Sequence, residues 1–142
     1  MALSPEIIEK INNSFKAQSM MRTMGAELSQ LDTGLVTLTS AIPESCKQQH
    51  GFGHAALTFG LGDSAAGYAA LSVMPVEAEV LTSEMKINLL APAAGDRIEA
   101  RGRVVKPGRR LVIVQTDVFA IKDDQEVHIA IMTGTMVPIM PK

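Results

Sequence analysis

The chain has 142 residues, 46% hydrophobic and 20% charged, with a formal net charge of −2. The composition excludes a disordered segment, and the length suits one domain, 1–142, with a core hiding roughly two-thirds of the unfolded surface. Near-neutral charge gives no global drive toward nucleic acid or an anionic membrane, and the single cysteine, Cys46, forms no internal disulfide, which suits a reducing cytoplasm.

The N-terminus Met-Ala-Leu-Ser-Pro-Glu lacks the basic and apolar regions of a signal peptide, so the expectation is a cytoplasmic protein. Ser4-Pro5-Glu6 instead starts a helix: Ser caps, Pro suits the first helical position, and an acid suits the first turn. Ile7, Ile8, Ile11 and Phe15 follow helical spacing, which predicts a helix at about 4–16. Ser19 to Thr23 adds one more turn and completes an N-terminal helical segment, 1–24. Ala26–Leu31 and Leu35–Ile42 read as strands around an Asp32-Thr33-Gly34 turn, and Pro43 ends the second. Residues 44–53 are polar loop. Residues 54–74 read as a long helix rich in Ala and Gly, whose glycines cost about 1 kcal/mol each unless close packing offsets them. Strands are expected at 79–90, 97–105, 111–120 and 127–139, with turns at Pro107-Gly108 and Asp123-Asp124-Gln125. In the second of these four, Ile98, Ala100, Gly102 and Val104 alternate with Arg97, Glu99, Arg101 and Arg103. The order is helix, two strands, long helix, four strands. It implies an α+β fold with a mostly antiparallel sheet that buries one central helix.

One carboxylate, Asp63, stands alone in the apolar run from Leu57 to Met74. Burying such a group costs several kcal/mol unless it is paired, hydrated or protonated. It is therefore either a cap, starting a shorter helix 64–73 after a break at Gly60–Gly62, or a working group. Asp63, the diluting Gly and Ser residues and the lack of Lys/Arg flanks also argue against a membrane span at 55–74.

The residues carry a family resemblance. His54, a nine-residue step to Asp63, and Ala65-Ala66-Gly67-Tyr68-Ala69-Ala70 resemble the signature of hotdog-fold acyl-CoA thioesterases, in particular the PaaI-like, phenylacetic-acid-degradation type. Gln48-Gln49-His50-Gly51-Phe52-Gly53-His54-Ala55, Leu81 to Pro92 and Gly102 to Arg109 are similar to further segments of that family, and the resemblance runs over about 25–138. It implies a hotdog fold, a long helix wrapped by a curved antiparallel sheet. It also implies hydrolysis of an acyl-CoA to a free acid and coenzyme A without a metal or redox cofactor. Asp63 would be the general base or the nucleophile, and the backbone N–H after His54 would polarise the carbonyl. Here that position is Ala55, where the family usually has Gly; the N–H is kept and a methyl is added near the acyl group.

The resemblance further implies that Gln48 lies near the attacking water or carbonyl and that the Thr82 hydroxyl faces the carboxylate. The bland readings are a solvated loop glutamine, a strand threonine and a loop histidine packing on the helix entrance. His50 and His54, four apart, would pair on a metal only on a helix, which Gly51 and Gly53 oppose. Lys106, Arg109 and Arg110 flank a turn and suit the phosphates of coenzyme A, whereas Arg101 and Arg103 read as a solvated strand face. Nucleic acid is a weak rival, since the cluster lacks interleaved aromatics. Met20, Met21, Met24 and Met74 are candidates for an adaptable acyl pocket or plain core.

The family also implies a homodimer, or a homotetramer of two dimers, with Gln48, His54 and Ala55 of one chain facing Asp63 and Thr82 of another. Nine residues of helix span about 13 Å, too far for both ends to grip one carbonyl within a single chain. The competing expectations are a non-catalytic acyl-CoA-binding hotdog module and a hotdog dehydratase. The acyl group and the choice between CoA and acyl carrier protein are not legible.

Overall fold

The computed structural model describes residues 2–142. Ser4 caps α1 (Pro5–Ala17), its Oγ accepting from the Ile7 N–H at 3.3 Å. Ile7 and Ile11 are buried and Phe15 half-buried, while Ile8 turns to solvent. A second short helix, α2 (Ser19–Thr23), follows. Strands β1 (Ala26–Asp32) and β2 (Leu35–Ser40) form the expected hairpin, with Gly34 at φ 71° in its turn. β2 stops at Ser40 rather than at Ile42, because Ile42 has φ 54° and leaves the extended region. A 3-10 turn at Glu44–Cys46 sits in the loop before α3 (Ala55–Leu71). Strands β3 (Glu79–Leu89), β4 (Arg97–Pro107), β5 (Val112–Lys122) and β6 (Gln125–Ile139) complete the chain. The β5–β6 turn is tighter than expected. Asp123 and Asp124 both take positive φ, so two residues close the hairpin and Gln125 already belongs to β6.

The six strands form one antiparallel sheet in the order β1-β2-β4-β5-β6-β3. Alternation directs Ile98, Ala100 and Gly102 of β4, and Val112, Val114, Thr116, Val118 and Ala120 of β5, to the inner face. There they meet α3, whose Leu57, Leu61, Ala65, Ala66, Ala69 and Ala70 are fully buried. α3 is continuous from 55 to 71; the break considered at Gly60–Gly62 does not occur. The helix ends three residues before the expected 74, with Ser72 as C-cap, and the Ser72 Oγ accepts from the Gly34 N–H at 2.7 Å. This is the architecture the resemblance implies.

Small residues let the helix and sheet backbones approach. A Cβ at Gly102 would meet Ala65 C and O and Ala66 N at 2.5–2.6 Å, and one at Gly62 would meet Met132 Sδ at 2.1 Å. The Thr116 hydroxyl donates to the Gly62 carbonyl at 2.9 Å, satisfying a buried polar pair.

Gly102→Ala drives a methyl into rigid backbone, so it should destabilise the fold by about 1–3 kcal/mol. Urea denaturation reads this directly; an unchanged midpoint would show that α3 does not pack on β4 as described.

Candidate functional site

Asp63 lies in the middle of α3, where it caps nothing. Its carboxylate is half-buried, and the Thr82 hydroxyl of β3 donates to its Oδ1 at 2.8 Å. The same hydroxyl sits 3.4 Å from Met136 Sδ, but the carboxylate is the nearer and stronger acceptor. Burial pushes the Asp63 pKa above the ordinary aspartate value of 3.8; the Thr82 hydrogen bond opposes that shift without cancelling it. Oδ2 has no protein partner among the described residues. One oxygen is therefore anchored and the other is available to a ligand. Both Asp63 and Thr82 line a cavity of about 280 Å³.

The other expected residues gather at a second place. His54 is the N-cap of α3, its Nδ1 accepting from the Ala56 N–H at 2.8 Å. It is thus neither a loop histidine nor a metal ligand through that nitrogen, and the neutral ring carries its proton on Nε2. The Ala55 N–H has no protein partner and lies at the positive end of the helix. The preceding loop is tightly bonded: the His54 N–H donates to Cys46 O at 2.8 Å, and the Gly53 N–H to Ala93 O at 2.9 Å. Gln48 holds the turn, its Oε1 accepting from the N–H groups of His50 (2.6 Å) and Phe52 (3.2 Å), which leaves its Nε2 without a protein partner. Gln48, His54 and Ala55 line a cavity of about 620 Å³ walled by Leu89, Leu90 and Pro92. Within one chain the two groups stay apart. Ala55 and Asp63 are eight residues apart on one rigid helix, about 12 Å, and they open into different cavities.

Arg109 and Arg110 line a third cavity, of about 610 Å³, with Val73, Met74, Pro138 and Met140. Neither they nor Lys106 has a carboxylate partner among the described residues. Arg101 is committed elsewhere: it pairs with Glu99 at 3.1 Å and with Glu126, and its guanidinium lies 4.2 Å above the Phe119 ring. Met20 and Met24 line a separate recess of about 320 Å³ near His54, and Met21 is core. Among the described residues no three His, Cys, Asp or Glu side chains gather to hold a metal ion, and no helix is long and apolar enough to cross a membrane.

Sequence reasoning missed the wall opposite Asp63. Ser14 and Gln18 reach the Tyr68 hydroxyl, at 3.1 and 2.6 Å, and all three line the Asp63 cavity. Ser14 and Gln18 stand four apart on the polar side of an amphipathic segment, where a cavity-facing pair looks like a solvated one. The signal available was Tyr68, a lone large polar side chain within a helix of small residues.

The comparisons agree with this arrangement. Residues 50–127 match the family model described as the thioesterase superfamily. A crystal structure of a thioesterase family protein from Silicibacter pomeroyi is 42% identical, with a TM-score of 0.93 over 95% of this chain and 99% of that one. The PaaI protein of the Escherichia coli phenylacetic acid degradation operon shares the fold at 21% identity, with a TM-score of 0.84 over 97% and 96% of the two chains. A Saccharolobus solfataricus protein that carries the provisional name of an esterase is 28% identical over 112 residues, which is 79% of this chain and 74% of that one. The chain has the PaaI-like hotdog fold and belongs to the thioesterase superfamily.

Proposed function

We propose that the protein is an acyl-CoA thioesterase whose active site is completed by a second copy of the chain. The observation that carries this reading is the Asp63 carboxylate, held at one oxygen by Thr82 and open at the other inside a cavity. Oδ2 takes a proton from water as the water oxygen bonds to the thioester carbon. The Ala55 N–H and the start of α3 stabilise the oxyanion, and the Gln48 amide holds the water or the carbonyl. The tetrahedral intermediate then collapses, the C–S bond breaks, and the thiolate leaves as the coenzyme A thiol once protonated. In the covalent alternative Oδ2 attacks the carbon itself, and water cleaves the resulting anhydride. Neither route calls for a metal or a redox cofactor.

The geometry of β3 supports the two-chain arrangement. β3 is an open sheet edge eleven residues long, with Leu81 60% and Leu89 56% exposed. Such an edge invites pairing. The Asp63 cavity abuts its start, at Glu79, Val80 and Thr82, and the Ala55 cavity abuts its end, at Leu89 and Leu90. A two-fold axis at mid-strand lays the start of one β3 beside the end of the other. The Asp63 cavity of one copy then joins the Ala55 cavity of the second, and a homodimer carries two sites. Arg109 and Arg110, with Lys106 on the adjoining strand, are placed to bind the phosphates of coenzyme A.

Asp63→Asn keeps an acceptor for Thr82, so the fold should survive while turnover, read by thiol release from a panel of acyl-CoA esters, falls by about 10²–10⁴. Unchanged turnover would remove Asp63 from the chemistry. The same variant has a stability signature. Because burial raises the Asp63 pKa, the fold is penalised as pH rises through that raised value, and the penalty vanishes below 3.8, where the carboxyl is protonated folded or unfolded. Asp63→Asn should therefore melt above the native protein at neutral pH, with the difference closing as pH falls toward 3.8; a gap that widens on acidification would contradict this.

Replacing Arg109 and Arg110 together by Ala should raise KM for CoA esters about tenfold or more and leave short thioesters without a nucleotide unaffected. Equal effects on both substrate types would remove the phosphate role.

A further inference from the structure

Gly67 is a helix-interior glycine without a packing reason. Gly60 and Gly62 are forced, since a Cβ at either would strike Met24 or Met132 at 2.4 Å or less. A Cβ at Gly67 would meet nothing within 4 Å. The fold thus bears the helix-propensity cost of glycine there with no contact to offset it. Gly67 stands one turn after Asp63, so both share one face of α3, and the space beside it is the Asp63 cavity. A methyl would fit the helix and narrow the cavity.

The far end of that cavity is polar. Gln18 Nε2 donates to the Tyr68 hydroxyl at 2.6 Å, and Ser14 Oγ lies 3.1 Å from the same oxygen. Gln18 Oε1 has no protein partner among the described residues and remains a free acceptor. α1, which carries Ser14 and Gln18, is pinned in place by Lys10. Its ammonium donates to Val76 O at 2.7 Å and to Ala78 O, and lies 3.4 Å from the Glu79 carboxylate. Glu79 also lines the cavity, which opposes an anionic ligand tail beside Asp63.

We infer that this cavity holds the acyl group, that the absent side chain at Gly67 sets its width, and that the acyl group it fits is compact, uncharged and ends in a hydroxyl. The inference rests on the thioesterase reading and names its substrate class. Asp63 and Tyr68 are five residues apart, about 7.5 Å along the helix. An extended chain gains about 1.2 Å per bond, so the hydroxyl stands about six bonds from the carbonyl carbon. A volume of about 280 Å³ lies at the lower end of ligand pockets and excludes long fatty chains.

The test uses acetyl-CoA, hexanoyl-CoA and 6-hydroxyhexanoyl-CoA, read by thiol release. The native protein should prefer the hydroxylated ester over hexanoyl by about tenfold in kcat/KM. Gln18→Met, which keeps the side-chain length without the amide, should abolish that preference. Gly67→Ala should raise the thermal midpoint. Gly67→Leu, a good helix former, should cut both six-carbon esters about tenfold or more relative to acetyl-CoA while acetyl turnover persists. Unchanged ratios in Gly67→Leu, or a hydroxyl preference that survives Gln18→Met, would overturn the inference and leave the thioesterase reading standing. Thiol release from no ester by the native protein would defeat the thioesterase reading instead. In that case saturation-transfer NMR with free 6-hydroxyhexanoate still decides: binding lost in Gly67→Leu supports the pocket, and binding unchanged or absent in both overturns it.

Discussion

The packing of α3 against the sheet is the constraint on which the rest of the molecule depends. Gly62 and Gly102 bring helix and strand backbones so close that no side chain fits between them. Interiors packed to this degree transmit strain rather than absorb it. The helix is therefore a fixed ruler. Its unpaired first N–H, at Ala55, and its carboxylate, at Asp63, stand about 12 Å apart and cannot converge on one carbonyl. Close packing makes the scaffold rigid and, by the same geometry, leaves each chain with two half-sites.

Each half-site is prepared in its own way. At Asp63 the protein tolerates a half-buried carboxylate, raises its proton affinity by burial, and uses the Thr82 hydroxyl to fix one oxygen. That combination yields a base that is oriented and poorly hydrated, which suits proton transfer. At the start of α3 the loop 46–54 is bonded to itself and to Ala93, so the N-terminus is presented and held open rather than closed by the loop. His54 caps the second N–H and leaves the first one free. The open edge of β3 lies between the two cavities, and it is the element through which one copy can supply what the other lacks.

Much of this was legible in the sequence because it depends on local chemistry. The Ser4-Pro5 start, the Asp32–Gly34 turn and the alternation of β4 all have short-range causes, and each formed as expected. Asp63 stood out because a charge among small apolar residues demands an explanation. The loop glycines before His54 and the lone carboxylate mattered more than overall composition did. What escaped notice depends on tertiary geometry. Ser14 and Gln18 are ordinary polar helix residues until α1 docks on the Tyr68 hydroxyl, and Gly67 looks like its neighbouring glycines until the space around each is compared. The end of β2 was misplaced because Ile42, a β-branched residue with every propensity for a strand, takes a positive φ instead. The β5–β6 turn shortened because two consecutive aspartates accept the left-handed conformation.

The central claim is that one carbonyl is gripped by Ala55 of one copy and attacked at the Asp63 of another. Ala55→Pro isolates the donor cleanly. Proline suits the first helical position, the N–H it removes has no protein partner, and His54 already has the extended geometry, φ −64° and ψ 146°, that a following proline requires. Mixing Asp63→Asn with Ala55→Pro, each inactive alone and with subunit exchange verified by mass, tests the claim. In a random two-site dimer about half the molecules are mixed, each with one intact site, so the account predicts recovery of about a quarter of native activity. No recovery after confirmed exchange would show that each chain builds its own site and would contradict the account.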